Sequence, residues 1–271
     1  MRNACLLVVW LSTGALAQEV PALEPRDTGL FFRVGALLLV PVAHSSEVSL
    51  ENVEGSARLA VSDGPIPGSS AALGTAFIPA AMVGWSLPFL ERRLSIETVL
   101  ALPFTLKLFA GGTLANQSLA PVVLGNLPTG LPALGTELGE ARVLPPVLTA
   151  TWRFGPFWRV KPYLGLGVSY LMTLDAHITN PVLTEVSTPT LLIPPRAGFV
   201  LQGGADFHVW RWFFVTLDVK YIAGLDLEAR VTNIWVRLPK LPLYEAVRVG
   251  DTTVKVSVNP VVFQLGLGLD L

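Results

Sequence analysis

Few histidines are present in this chain to serve as a catalytic base. Its 271 residues include three histidines, His44, His177 and His208. Catalysis of that kind needs a base within hydrogen-bond reach of a nucleophile or a second carboxylate. His208 shares its face of a strand with Asp206, but the sequence gives no serine a clear position beside them. We therefore predict that His208 is packed inside the fold and that the protein is not an enzyme.

Cofactor and nucleic-acid signals are weak as well. The sequence has no clustered histidine and cysteine spacing typical of a metal site. Its glycine-rich stretches, LGLGV and LGLGLDL, lack the G-x-G-x-x-G pattern of nucleotide-binding loops. A formal net charge of −1 gives no electrostatic reason to bind nucleic acid. We expect no metal, no cofactor and no nucleic-acid partner.

The amino terminus has the pattern of a secretory signal peptide. Arg2 precedes an apolar run, and small residues follow at Ala15 and Ala17. We predict a cleaved signal peptide over residues 1–17 and a periplasmic lead-in over 18–27. The only cysteine, Cys5, would leave with the signal peptide, so the mature chain would contain none.

The composition is that of a membrane protein without membrane helices. The chain is 51% hydrophobic with a mean hydropathy of +0.56, and only 14% of its residues are charged, against about 25% in a typical soluble domain. No stretch after the signal peptide approaches about 18 uninterrupted apolar residues. Apolar strands would account for both observations.

The stretch from Val143 to Met172 shows the strand pattern most clearly. In its first half Leu148 and Trp152 share one face, while Thr149, Thr151 and Arg153 share the other. Aromatic residues crowd around the turn, as they do where a barrel strand meets the membrane surface. A soluble antiparallel hairpin would alternate in the same way, so the remaining chain decides between the two.

Eight such strands occur along the chain, joined alternately by short turns and long segments. The long segments, which we predict as external loops, cover residues 41–71, 105–140, 175–195 and 226–251. A β-sandwich gives no reason for this alternation. The sequence therefore predicts an all-β fold over residues 28–271, an eight-stranded antiparallel transmembrane β-barrel with long extracellular loops and short periplasmic turns, in the bacterial outer membrane.

Two irregularities are expected in the strands. Pro79 cannot donate to a ladder, which suggests a bulge or an irregular start in the second strand. In the last strand, Val254, Val256 and Val258 have one phase, and Phe263, Leu265 and Leu267 have the other. A β-bulge at Asn259-Pro260 would turn both sets toward lipid.

Several segments resemble the OmpW family of small outer-membrane barrels. The matching pieces are IETVLALPF (96–104), LPPVLTATWRF (144–154), KPYLGLGVSYL (161–171), GGADFHVWRWFFVTLDVKYI (203–222) and VKVSVNPVVFQLGLGLDL (254–271). The chain departs from the family in ending on Leu271 instead of an aromatic residue. The resemblance implies an apolar interior pocket associated with uptake of small hydrophobic molecules. The C-terminal strand would be recognised by the outer-membrane insertion machinery.

Sorting the inward-facing residues by height predicts a lumen that is apolar above and charged below. The apolar set is Leu37, Leu39, Val99, Ala101, Val147, Leu171, Val200 and Ile222. The polar set is Arg33, Glu97, Arg153, Asp206, His208, Asp218, Lys220 and Asp270. Because unpaired charges are costly inside a closed barrel, we expect Glu97, Asp206, Asp218 and Asp270 to pair with the three cations.

These features lead to a functional prediction. The barrel would bind small hydrophobic solutes and translocate them passively through the apolar upper lumen, with lateral exit into the lipid of the outer membrane. The alternative is a structural or adhesive barrel, or a receptor, that acts through its extracellular loops.

Overall fold

The computed structural model describes residues 28–124, 126–155, 157–240 and 246–271, the side chain of Ala101 excepted. The predicted signal peptide and lead-in lie outside the described residues. Within them, no helix is long and apolar enough to cross a membrane.

Eight antiparallel strands form a closed barrel. They are β1 (Leu30–Val40), β2 (Ala76–Ser86), β3 (Leu94–Ala101), β4 (Val147–Arg153), β5 (Val160–Ile178), β6 (Arg196–His208), β7 (Phe213–Ala223) and β8 (Val261–Asp270). Each pairs with the next, and β1 pairs with β8 from Phe31 opposite Asp270 to Val40 opposite Val261. The predicted eight-stranded barrel is confirmed.

The barrel wall is apolar outside and mainly polar inside at its lower end, the end with the short turns. On β4, Leu148 and Trp152 are exposed while Thr149, Thr151 and Arg153 are buried. Exposed aromatic side chains surround the turns, among them Trp85, Phe154, Trp158, Trp210 and Trp212. Such an outer face belongs in lipid, with its aromatic residues at the interface.

The four long connections are folded rather than irregular. They extend the barrel as an upper sheet, formed by the top of β5 together with Ala43–Ser45, Ser49–Glu51, Gly64–Pro65, Ser69–Leu73, Phe104–Gly112, Glu137–Leu144, Thr190–Leu192, Leu225–Arg237 and Ala246–Val258. The remaining elements are the helices Thr113–Asn116 and Pro181–Thr184, the 3₁₀ segments Gly55–Leu59 and Leu90–Arg92, and the strand pair Val122–Val123 and Leu127–Pro128.

The upper sheet reverses the alternation of the lower barrel. Leu225 and Leu227 are buried, whereas Asp226, which lies between them, and Arg230, which follows them, are exposed. An apolar inner face with a polar outer face is the pattern of a sheet in water. The upper sheet therefore projects beyond the apolar belt.

A ring of breaks separates the lower barrel from the upper sheet. Seven of the eight barrel strands are separated from the upper-sheet strands above them by one to three residues, and each of these interruptions contains proline or glycine. Only β5 continues into the upper sheet without a break. The residues concerned are Pro41, Gly74, Pro103, Pro145, Pro146, Pro194, Pro195, Gly224 and Pro260. Proline has no N–H to give to a ladder, so it interrupts pairing on the edge of the strand that would need that donor.

Of the two alternatives predicted at Pro79, the bulge is wrong, and an irregular start of the pairing with β3 is found. The pairing of β1 with β2 runs without a shift through Ala36 opposite Pro79. On the other side, the pairing of β2 with β3 ends one residue earlier, at Ala80 opposite Ala101. The missing N–H of Pro79 is therefore tolerated because that edge is unpaired there.

The predicted bulge at Asn259-Pro260 is also wrong. Val256, Val258 and Val262 are all buried, so the phase of the last wall does not change, and Val256 and Val258 face the lumen instead of lipid. The extra residue lies instead in the neighbouring strands, between β7 and Leu225–Arg237. Tyr221 pairs with Val261 but Leu225 pairs with Val258, a shift of one residue at Gly224. The side-chain oxygen of Asn259 accepts the Gly224 N–H at 3.0 Å.

We expect Gly224→Ala to destabilise the barrel by about 1–2 kcal/mol, because Gly224 has φ +78° and a side chain there strains the backbone. A methyl group at this position meets no neighbour within 4 Å, so strain is the whole effect. Urea unfolding in lipid vesicles measures it. Gly155→Ala is the control, since its Cβ also has no neighbour within 4 Å but its φ is not positive. Equal stabilities of the two variants would contradict the bulge.

Candidate ligand-binding lumen

A buried ion-paired plug closes the lower lumen. Arg33 donates from one guanidinium nitrogen to Glu97 and from the other to Asp206, both at 2.9 Å. Arg153 contacts the same two carboxylates, at 3.3 Å and 3.1 Å. Arg33, Glu97 and Asp206 are at most 1% exposed. Two cations and two anions thus neutralise each other in the interior of the barrel.

A second group of polar side chains lies against the first. Asp218 accepts hydrogen bonds from Tyr163 and Gln202, both at 2.7 Å, and pairs with Lys220. Gln202 also donates to Glu97 at 3.2 Å, which joins the two groups. Lys220 donates to Gln264 at 3.2 Å. The plug therefore spans the lumen from β1 to β8.

Aromatic rings pack around Arg33 and fill the space beside it. The guanidinium lies 4.8 Å from the ring centre of Phe31, 5.1 Å from that of Tyr163 and 5.6 Å from that of Phe214. Inward glycines make room for the rings: a Cβ on Gly84 would lie 1.9 Å from Phe31, and one on Gly268 would lie 2.2 Å from Phe214. The cation is thus held by π faces as well as by carboxylates.

Asp270 and His208 form a separate pair below the plug. The prediction that Asp270 pairs with one of the three lumen cations is wrong. Asp270 contacts Nε2 of His208 at 3.2 Å, and the same nitrogen lies 3.2 Å from Lys161. The reason is depth, since Asp270 is the last residue of β8 and faces the lower mouth. The His208 ring stacks on Phe214, 5.2 Å between ring centres.

An apolar cavity of about 60 Å³ lies directly on top of the plug. Lys220 and Ser169 are the polar residues in its wall. Six of the predicted apolar residues line it, namely Leu37, Leu39, Val99, Val147, Leu171 and Ile222. Val200 is buried in the same cluster but does not line the cavity, and the side chain of Ala101 lies outside the described part.

The apolar interior continues into the upper sheet. A second cavity of about 80 Å³ is lined there by residues such as Leu50, Leu114, Leu134 and Val249. Two buried clusters surround the cavities, and Ile178, Val231 and Val254 pack against both clusters. The inside of the protein is therefore one apolar column that ends on a polar plug.

Sequence reasoning missed part of this site. Tyr163, Gln202 and Gln264 complete the plug, and each has the inward phase of its strand. Val256 and Val258 are predicted on the lipid face of the last strand and are found in the lumen, and the second cavity is not predicted because most of its wall falls in segments predicted as loops. Among the described residues, no group of three or more His, Cys, Asp or Glu side chains has metal-binding geometry.

Comparison with known proteins identifies the family of this barrel. The OmpW family model matches residues 89–271, more than half of the chain. The chain belongs to the OmpW family. The crystal structure of the outer membrane protein OprG from Pseudomonas aeruginosa is similar over 90% of this chain and 96% of that one, with a TM-score of 0.64 and 20% identity. That likeness supports the fold.

Two curated relatives match parts of the chain. The outer-membrane protein y4mB of Sinorhizobium fredii is 33% identical over 90 residues, 33% of this chain and 37% of the relative. The dibenzothiophene metabolism operon protein PahQ of Pseudomonas aeruginosa is 24% identical over 148 residues, 51% of this chain and 58% of the relative. The matched parts thus cover 37% and 58% of these relatives' lengths.

OmpW family membership and the apolar belt place this protein in the bacterial outer membrane, in contact with its lipids. The short turns of such barrels face the periplasm and the long segments face outward. The apolar column of this OmpW-family barrel accordingly lies toward the cell exterior, and the plug lies on the periplasmic side.

Proposed function

We propose that this barrel carries small hydrophobic molecules passively from the cell exterior into the outer membrane. The observation that carries the proposal is the apolar cavity resting on a neutralised, buried plug. An apolar solute gains free energy by entering such a cavity, whereas an ion would have to shed its water there. The plug then stops onward movement toward the periplasm.

The size of the cavity indicates how a solute is accommodated. At about 60 Å³ it holds a few heavy atoms, less than most small-molecule sites hold. We propose that the aliphatic side chains of the column rotate aside as a solute arrives. PahQ, by its name, belongs to a dibenzothiophene metabolism operon, which suggests apolar aromatic solutes for this chain too.

We further propose that the solute leaves sideways between β2 and β3. Regular pairing of these walls stops at Ala80 opposite Ala101 and resumes at Leu73 opposite Leu108, with the Gly74 N–H donating to the Lys107 carbonyl at the upper edge of the gap. The cavity reaches this gap, because Leu73, Ile78, Phe104 and Leu106 line it. Pro79 and Pro103 lie at the same gap. Pro260 also interrupts a strand, but its carbonyl accepts the Ile222 N–H at 3.0 Å, so the two strands stay joined there and leave no exit.

An acidic residue in the cavity wall should block uptake. Leu39→Asp and Leu171→Asp are each expected to slow the entry of a fluorescent apolar aromatic into proteoliposomes by about tenfold, because an unpaired polar group replaces apolar wall. Thr190→Asp, exposed on the outer face of the upper sheet, is the control and should transport normally. Normal uptake by both cavity variants, with the barrel intact by circular dichroism, would reject the route.

The surroundings of His208 favour transport without chemistry. Its ring is stacked on Phe214 and its Nε2 faces Lys161 and Asp270. We propose that His208 stabilises the fold below the plug and that the barrel is not an enzyme. Measurement of lipid and peptide hydrolysis by the purified protein tests this, and turnover lost on His208→Ala would contradict it.

One observation favours the alternative function, a receptor or adhesive role of the extracellular part. Leu59, Leu124 and Leu127 are 47%, 64% and 50% exposed there, and apolar side chains on a surface in water suit a protein partner. The triple change of these leucines to serine separates the two functions. It should leave solute uptake unchanged and abolish only attachment to a partner.

A further inference from the structure

Two polar side chains interrupt the apolar wall of the cavity above the plug. They are Ser169 on β5 and Lys220 on β7, and both line the cavity. Ser169 is 1% exposed and Lys220 is 2% exposed, so neither reaches the solvent outside the barrel. A buried polar group costs free energy unless it is hydrogen-bonded, so the partners of these two side chains show whether they serve the fold.

The hydroxyl of Ser169 is buried without a hydrogen-bond partner anywhere in the described part of the chain. Its neighbours in the ladder are Val147 on β4 and Gly198 on β6, and neither has a side chain that could accept a hydrogen bond. An alanine would fill the same place at lower cost, because it brings no unpaired polar atom. The fold itself therefore gives no reason for a serine at this position.

Lys220 has a donor left over in the wall of the same cavity. Its ammonium group donates to Asp218 and, at 3.2 Å, to Gln264. A lysine carries three N–H donors and no acceptor, so one donor remains without a partner among the described residues. The cavity wall thus offers one N–H and one hydroxyl to an incoming oxygen atom.

The charge of the plug decides what kind of oxygen can bind. Its three buried cations are matched by three buried anions, namely Arg33, Arg153 and Lys220 against Glu97, Asp206 and Asp218. Because this balance is complete, a carboxylate that entered the cavity would be a buried charge without a counter-ion. A neutral oxygen atom can accept the same hydrogen bonds without that cost.

We propose that the solutes of this barrel are neutral apolar molecules that carry one hydrogen-bonding oxygen, as phenols, alcohols and ketones do. The proposal rests on the proposed function, because it names the class of solute that the cavity binds. The oxygen accepts from the Lys220 ammonium group or from the Ser169 hydroxyl, and the hydrocarbon part fills the apolar remainder of the cavity. A solute hydroxyl also donates to the Ser169 oxygen. A pure hydrocarbon enters the same cavity but leaves both polar groups unpaired.

Three solutes with the same ring system test the proposal in the full barrel. Naphthalene and 2-naphthol differ by one hydroxyl, and 2-naphthoate carries a negative charge. Binding is measured in nanodiscs from the methyl signals of Ile78 and Ile222, which line the cavity, with solute concentrations expressed per lipid. Ser169→Ala removes the unpaired hydroxyl. Ser257→Ala is the matched control, because Ser257 lies opposite the exposed Asp226 on the outer face of the upper sheet.

We expect wild type to bind 2-naphthol about tenfold more tightly than naphthalene, and Ser169→Ala to reduce this preference about fivefold, the effect of one neutral hydrogen bond. Ser169→Ala should bind naphthalene as tightly as wild type does, and Ser257→Ala should keep the full preference. These results together would support the proposed solute class.

The opposite results separate the solute class from the proposed function. Equal binding of naphthalene and 2-naphthol, a full preference in Ser169→Ala, or tighter binding of 2-naphthoate than of 2-naphthol would overturn the solute class and leave the cavity as the binding place. If none of the three solutes shifts the methyl signals of Ile78 and Ile222, the proposed function itself is wrong.

Discussion

Glu97→Gln is expected to lower the free energy of unfolding by about 3–5 kcal/mol, the cost of removing one partner from a buried ion-pair network. Glu97 accepts hydrogen bonds from Arg33, Arg153, Thr151 and Gln202, at distances of 2.9 to 3.3 Å. Its loss leaves two buried guanidinium groups to share Asp206 alone. Urea unfolding in lipid vesicles, followed by tryptophan fluorescence, measures the change.

Two further variants show whether charge balance is the cause. Glu137→Gln removes an exposed carboxylate that lies 3.4 Å from Lys107, and such a surface pair is worth at most about 1 kcal/mol. The double variant Glu97→Gln/Arg153→Gln restores neutrality and should be more stable than the sum of its single changes predicts. A strictly additive result, or equal losses at Glu97 and Glu137, would contradict the plug as described.

Leu267→Arg is expected to destabilise the barrel by about 2–4 kcal/mol, the cost of a cation on the lipid face near the midplane. Leu267 is 50% exposed on the outer face of β8, opposite Val34 of β1 and Val215 of β7. The fraction folded into lipid vesicles in urea measures the effect.

Leu271→Arg is the matched control for depth. Leu271 follows β8 at the periplasmic end and is also exposed, so an arginine there reaches the interface at a cost of about 0–1 kcal/mol. If Leu267→Arg folds as readily as Leu271→Arg does, the outer face of β8 is not in lipid.

The lower barrel could be predicted from the sequence because its alternation is simple. Leu148 and Trp152 on one phase of β4, with Thr149 and Thr151 on the other, fix its register against lipid and lumen. Buried charges support the same register, because Arg33 and Glu97 are tolerated in the lumen only if they form an ion pair. Pairing partners follow less directly, because phase and height place Asp270 in the lower polar set but do not show that it contacts His208 and none of the three lumen cations.

The upper sheet could not be predicted in the same way. Its alternation has the opposite sense, so Leu227, which lies between Asp226 and Arg230, is predicted as part of a loop. The glycine and proline residues at the ring of breaks also favour the prediction of loops, because both residue types are typical of turns. The wrong prediction of a bulge at Asn259-Pro260 has the same cause, because Val256 and Val258 are apolar on the lumen side whereas Phe263 and Leu265 are apolar on the lipid side.

The central claim is that an apolar solute occupies the cavity above the plug. Isoleucine-methyl NMR spectra of the barrel in nanodiscs, recorded while naphthalene is added, test it directly. Ile78 and Ile222 line the cavity, whereas Ile96 is 42% exposed on the lipid face. We predict saturable shifts of the Ile78 and Ile222 methyl signals and little change at Ile96. A response at Ile96 with none at Ile78 and Ile222 would show that the solute dissolves in the bilayer and does not enter the barrel.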